Sequence, residues 1–144
     1  MAFTGNYTCN VFKVGLMDGS YNFATDTFKI ALYTNAATLN SDTAAYTSIG
    51  EATGGDYVPG GLALNVTQVP TLGIQNGPTA VAYISFGNAT WFGAITARGA
   101  LIYKDTVGNP AVCVLDFGSD KISNRSLTVQ FPAATNSSAI IRLG

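Results

Sequence analysis

Short segments in which every second residue is apolar recur along this chain, and residues that favour turns separate them. The clearest segment, Thr27–Thr34, places Phe28, Ile30 and Leu32 on one face, which is the alternation of a β-strand. Six further segments are predicted as strands: Leu62–Val69, Ala80–Phe86, Ala94–Lys104, Ala111–Phe117, Ser126–Phe131 and Ala139–Leu143. Strands at such regular spacing are typical of a sandwich or barrel, so the sequence predicts an all-β, jelly-roll-like β-sandwich.

A turn and a short helix complete this prediction. The sequence Val107-Gly108-Asn109-Pro110 predicts the turn of a hairpin between the fourth and fifth strands, at the centre of the domain. Near the N-terminus, Val11, Phe12 and Leu16 have helical spacing, so a helix is expected over Tyr7–Leu16, starting near Gly5-Asn6 and stopping at Asp18-Gly19. We expect one β-sandwich domain over residues 1–144, with residues 1–20 as a helical segment or arm.

The stretch Asn35–Gly61 is rich in Asn, Ala, Thr, Ser and Gly and has no strand pattern. It is predicted as a long surface connection, with a helical turn near Thr43–Ile49. Long loops in compact domains are usually functional or ordered by a partner. This segment is therefore a candidate contact region.

Charge is scarce in this chain, which limits its chemistry. Only 10% of the 144 residues are charged, the net charge is −1 and histidine is absent. The commonest general base and metal ligand are thus missing, and we expect no catalytic residue, metal or cofactor. The scattered lysines and arginines predict no nucleic-acid partner. No apolar stretch is long enough for a membrane span, and no secretory signal is expected.

Three further features each have two interpretations. Cys9 and Cys113 are read as buried free thiols rather than as a disulfide, which suits folding in a reducing cytoplasm. Trp91 and Phe92 favour core packing or an interface anchor over a sugar-stacking platform. Arg98 lies within an apolar run, and is either on the solvent face of its strand or in an ion pair with a neighbouring strand or subunit.

Several stretches resemble, in the same order along the chain, a family of small virion structural proteins of tailed bacteriophages. They are Val11–Leu16 with Asp18-Gly19, Asp26–Thr34, Thr96–Tyr103, Val114–Lys121, and Phe131-Pro132 with Ala139–Leu143. The resemblance implies a non-enzymatic part of the particle, and specifically a capsid decoration or cement protein present in many copies. It implies the major capsid protein or other virion proteins as partners, homo-oligomeric or multi-copy assembly, and the virion, assembled in the host cytoplasm, as the location.

The contact surface is expected in the N-terminal segment Ala2–Leu16, in the loop Asn35–Gly61 and near Trp91. The residues predicted to take part are Phe3, Tyr7, Phe12, Tyr46, Tyr57, Trp91, Phe92 and Arg98. The alternative is a tail, adaptor or fibre component that binds carbohydrate, with Trp91, Tyr57 and Asn88 lining a shallow site. A small enzyme is a third hypothesis, for which no residues converge.

Overall fold

In a computed structural model, which describes residues 3–74, 80–135 and 138–143, the chain is mostly β with one short helix. This confirms the all-β class expected from the sequence. The elements of the described ranges are β1 Tyr7–Thr8, α1 Asn10–Asp18, β2 Phe28–Tyr33, β3 Leu62–Leu64, β4 Val66–Ile74, β5 Ala80–Phe86, β6 Ala89–Phe92, β7 Ile95–Lys104, β8 Ala111–Ser123, β9 Ser126–Val129 and β10 Ile141–Leu143. Across these ranges no helix has the length and apolar character needed to span a membrane.

The largest sheet has five strands in the order β1-β8-β7-β2-β3, and all its pairings are antiparallel. β7 lies in the middle, between β2 and β8. The turn over 105–110 joins β7 to β8, and Asn109 takes the left-handed conformation there with a φ of 43°. The predicted central hairpin is thus confirmed, and it forms the middle of the main sheet.

Two smaller sheets accompany it, with the orders β10-β5-β4 and β6-β9. The predicted strand Leu62–Val69 is in fact two strands, because the chain leaves the five-stranded sheet after Leu64 and enters the three-stranded sheet at Val66. Between them, the carbonyl of Asn65 accepts a hydrogen bond from the Gly87 amide, at 2.8 Å. The strand β6 was not predicted from the sequence.

Aromatic side chains join the buried faces of the sheets. Phe28 of the five-stranded sheet lies 6.0 Å, between ring centroids, from Phe86 of the three-stranded sheet. Phe23 stacks on Phe28 at 4.6 Å, and Phe131 lies 5.7 Å from Phe86. Stacked and tilted ring contacts of this kind stabilise the core beyond the burial of apolar area. One continuous core therefore lies between the two sheets.

The helix begins later than expected. Tyr7 and Thr8 pair with Val114 and Cys113 of β8 in extended conformation, so the predicted start at Gly5-Asn6 is wrong and α1 starts at Asn10. The expected stop is correct, because Gly19 ends the helix with a φ of 79° and donates to the Gly15 carbonyl. This left-handed cap is the conformation that glycine adopts without strain.

The other boundaries differ in informative ways. β8 continues to Ser123, six residues beyond the predicted Phe117, because its second half pairs with the start of β7. The helical turn expected near Thr43–Ile49 is wrong: that stretch contains an isolated bridge between Ala45 and Pro110. Backbone pairing with the β7–β8 turn replaces local helical bonding there.

Candidate interaction surface

The long connection Asn35–Gly61 is confirmed, and its inner side covers an open edge of the main sheet. β3 pairs with β2 only as far as Ile30. Beyond that point, Leu32 accepts from the Ala52 amide at 2.9 Å and donates its own amide to the Tyr57 hydroxyl at 3.0 Å. Exposed strand edges invite pairing with other chains, so this part of the loop protects the β2 edge.

Glu51 organises the loop from within. Its carboxylate accepts hydrogen bonds from the Tyr46 hydroxyl at 2.7 Å, from the Tyr57 hydroxyl at 2.6 Å and from the Gly60 amide at 2.7 Å. Charged acceptors make stronger hydrogen bonds than neutral ones. The sequence reasoning did not identify Glu51, although it is the only charged residue between Asp42 and Asp56.

The tyrosines around Glu51 are held in their neutral form. Burial, followed by the hydrogen bond to the Glu51 carboxylate, raises the pKa of Tyr57 and of Tyr46 well above the ordinary phenol value. Burial also raises the pKa of Tyr103 to about 12, and its hydroxyl donates to the Gly60 carbonyl at 2.6 Å. A phenol with a raised pKa keeps its proton at neutral pH, and these three hydroxyls donate hydrogen bonds that hold the loop together.

A seam joins the end of the loop to β6. The Asp56 carboxylate accepts from the Phe92 amide, and the Asp56 amide donates to the Phe92 carbonyl, both at 2.8 Å. Val58 and Phe92 are both largely exposed, at 65% and 62%. Two apolar side chains thus project into solvent beside this pair of hydrogen bonds, and we call the surface formed by Asp56, Val58 and Phe92 the loop seam.

Trp91 does not form a sugar platform. Its side chain is 1% exposed and lies in the core, where its ring centroid is 5.9 Å from that of Tyr57, which is 9% exposed. The side-chain Oδ1 of Asn88 accepts a hydrogen bond from the Phe131 backbone amide, at 3.0 Å. The prediction of a shallow carbohydrate site lined by Trp91, Tyr57 and Asn88 is therefore wrong, because stacking on a sugar requires an accessible ring face and that of Trp91 is buried.

The eight predicted contact residues differ widely in exposure. Phe3, Phe12, Tyr57 and Trp91 are buried, Tyr7, Tyr46 and Arg98 are half-buried, and Phe92 is exposed. The Phe3 ring packs on Gly99, where an added Cβ would lie 2.3 Å from the ring. Their role in contacts stays a prediction, and Phe92 is the most exposed of the eight. Ala2 of the predicted N-terminal segment lies outside the described residues.

Arg98 forms an ion pair with Asp116 on the neighbouring strand β8. Both side chains are 13% exposed, and the guanidinium carbon lies 5.8 Å from the centroid of the Phe3 ring. Of the two interpretations of Arg98, the structure favours the ion pair with a neighbouring strand over the solvent face. Asp116 also contacts the N-terminal segment, because its backbone amide donates a hydrogen bond to the side-chain oxygen of Asn6 at 2.6 Å.

The two cysteine thiols of the chain are enclosed. Cys9 and Cys113 are both free and buried, which confirms the thiol interpretation. Desolvation raises the pKa of Cys9 to about 11 and that of Cys113 to about 12, and thiols in that state are poor nucleophiles. Among residues 3–74, 80–135 and 138–143 no group of His, Cys, Asp and Glu is arranged to hold a metal ion.

No family of known proteins, no curated protein and no solved structure matches this chain.

Proposed function

We propose that this protein is a non-enzymatic structural component of a bacteriophage virion, and specifically a capsid decoration protein that binds the assembled shell. The observation that carries the proposal is where the virion-like stretches lie in the fold. They include most of α1, the whole of β2, most of β7, the middle of β8 and the whole of β10. β2, β7 and β8 are consecutive neighbours in the main sheet, so the resemblance covers one connected body rather than scattered strands.

The surface chemistry supports the same role. With eight acidic and seven basic residues in 144, a partner can cover much of this surface without desolvating unpaired ions, which costs several kcal/mol. The loop seam adds the exposed Phe92 and Val58, and exposed aromatic residues are frequent anchors of interfaces. A protein that binds only the assembled shell stabilises it by mass action.

The proposal includes a jelly-roll-like arrangement of the sheets. The five-stranded and three-stranded sheets face each other through Phe28 and Phe86, as the two layers of a sandwich do. The chain crosses from one to the other at Asn65. An experimental structure of the assembled protein would test the strand connections directly.

Cryo-electron microscopy of the parent virion tests the function. Density that fits this chain on the outer capsid lattice, in a copy number that follows the lattice symmetry, is the expected result. Density confined to the tail or the portal would overturn the capsid role and would assign the protein to the tail, adaptor or fibre parts.

A particle-stability assay gives a second, independent test. Shells that lack the protein should release their DNA at a lower temperature than complete shells, and adding the purified chain should restore the difference. The matched comparison is Phe92→Ser against Val107→Ser, because Val107 is 99% exposed at the tip of the β7–β8 turn. Equal restoration by both variants would remove the loop seam from the proposed interface.

A further inference from the structure

A groove runs between α1 and the C-terminal strand β10. It consists of a cavity of about 990 Å³ and a neighbouring one of about 340 Å³, which share Leu16, Ile141 and Leu143 in their walls. Phe12 lies at the floor of the larger cavity and is 1% exposed, whereas Met17 at its rim is 92% exposed. We call this feature the helix–β10 groove.

The groove lies between the edges of two sheets. Thr8 of β1 lines it, and β1 is one of the two outer strands of the five-stranded sheet. β10, which lines the opposite side, is one of the two outer strands of the three-stranded sheet. The Cys9 amide donates to the Val112 carbonyl at 3.0 Å. In an antiparallel pair, hydrogen-bonded and non-hydrogen-bonded residues alternate, so the backbone N–H and C=O of Thr8 point away from β8. Edge strands with outward backbone groups are the structures to which an extended segment adds.

The charges of the groove have one sign. Lys13 and Arg142 line it, and no described residue in the wall of either cavity is acidic. The Lys13 ammonium donates to the neutral Asn10 side chain at 3.1 Å and takes part in none of the ion pairs among the described residues. An apolar floor with a cationic rim is complementary to an apolar segment that carries a carboxylate.

We infer that the helix–β10 groove binds an extended segment of a partner protein, with apolar side chains toward Phe12 and Leu16 and an acidic residue beside Lys13. This inference deepens the proposed function and rests on it, because the segment would belong to a protein of the capsid shell. The two flanking strand edges favour a polypeptide over a fatty acid, since an acyl chain has no backbone groups to pair with them.

Photo-crosslinking from the groove tests the inference. The full chain carrying Met17→p-benzoylphenylalanine is bound to shells that lack the protein, irradiated and analysed by mass spectrometry. The same substitution at Val107, which is equally exposed but lies in the β7–β8 turn, is the control. The expected crosslink from position 17 is to an apolar, acid-containing segment of a shell protein that position 107 does not reach.

Variants that remove one lysine charge measure how much Lys13 contributes to the affinity for shells. Lys13→Gln should weaken shell binding by about threefold to fivefold, the effect of losing one surface charge pair, and the loss should shrink at high salt. The control Lys121→Gln removes an exposed lysine outside the groove and should leave the affinity unchanged.

The outcomes separate the two proposals. If the unaltered chain does not bind shells, the proposed function fails. If the unaltered chain binds, the groove inference alone is overturned by equal affinities of Lys13→Gln and Lys121→Gln. It is also overturned by a crosslink from position 17 to a second copy of this chain, or by displacement of the segment by palmitate but not by excess shell protein.

Discussion

Arg98 and Asp116 pair across β7 and β8 at the point where the register of these strands shifts. Ala97 lies opposite Lys121 and Gly99 lies opposite Asp116, so one residue of β7 faces four of β8. Gly118 is one of these four residues of β8. It has a φ of 82°, and its amide donates a hydrogen bond to the Asp116 carboxylate at 2.8 Å. The ion pair therefore links β7 and β8 at a point where the backbone pairing between them is interrupted.

Replacing Arg98 with Met should destabilise the fold by about 3 kcal/mol, because it leaves a largely buried carboxylate without its counter-ion. The control is Lys29→Met, which breaks the pair with Asp105 at 3.6 Å between side chains that are 33% and 41% exposed. That pair should contribute less than about 1 kcal/mol. Urea unfolding measures both values, and equal losses would show that the Arg98 pair is no stronger than a surface pair.

Glu51→Gln should lower the free energy of unfolding by about 2 kcal/mol, since a neutral amide replaces the charged acceptor of the Tyr46 and Tyr57 hydroxyls. Asp42→Asn is the matched change at an exposed carboxylate that accepts only the Asn10 side chain, and it should cost less than about 0.5 kcal/mol. Amide hydrogen exchange should increase at Leu32 in Glu51→Gln. Unchanged exchange there would mean that the loop does not depend on Glu51.

Alkaline pH should destabilise the protein through its enclosed tyrosines. Burial raises the pKa of Tyr21 and Tyr103 to about 12, against an ordinary value of 10.0, so the folded state holds these protons more tightly than the unfolded state. Their contribution is complete below pH 10.0 and is lost as the pH rises through about 12. Unfolding free energies across that range, followed with phenolate absorbance, measure the loss.

The variant Tyr103→Phe provides the control for that titration. It lacks one raised phenol, so its stability should decline less steeply with pH than that of the unaltered chain. Identical slopes would show that Tyr103 ionises equally well in the folded and unfolded states.

Gly61→Ala should be far more disruptive than Gly108→Ala, although the two glycines have nearly the same φ, 80° and 84°. A Cβ on Gly61 would lie 1.8 Å from the Ile30 carbonyl oxygen, whereas none of the structure lies within 4 Å of one on Gly108. Gly108→Ala should cost about 1 kcal/mol from backbone strain alone. Thermal unfolding compares them, and similar melting temperatures would mean that the loop can move away from β2.

Local pattern was sufficient where the physical cause is local. The period of two over Thr27–Thr34 and the Gly108-Asn109 turn identified β2 and the central hairpin, because side-chain alternation and turn conformations depend on residues adjacent in sequence. The Asp18-Gly19 stop of the helix was identified for the same reason. The free state of Cys9 and Cys113 also followed from their number and separation.

Contacts between residues far apart in the sequence decided the remaining features, including strand β1 and the burial of Trp91. Tyr7 and Thr8 belong to a strand rather than to the helix only because β8 lies beside them. Trp91 is in the core and Phe92 is exposed although they are adjacent, since neighbours on a strand point to opposite faces and only the fold determines which face is covered.

By itself, the sequence determined an all-β chain with a short N-terminal helix, a central hairpin, a long connection and no histidine chemistry. Only the tertiary structure decided that Glu51 organises that connection, that Arg98 pairs with Asp116, and that a groove separates α1 from β10. The physical reason is distance along the chain. Hydrogen bonds, ion pairs and cavities between residues far apart in sequence depend on how whole sheets pack, and no local pattern records that packing.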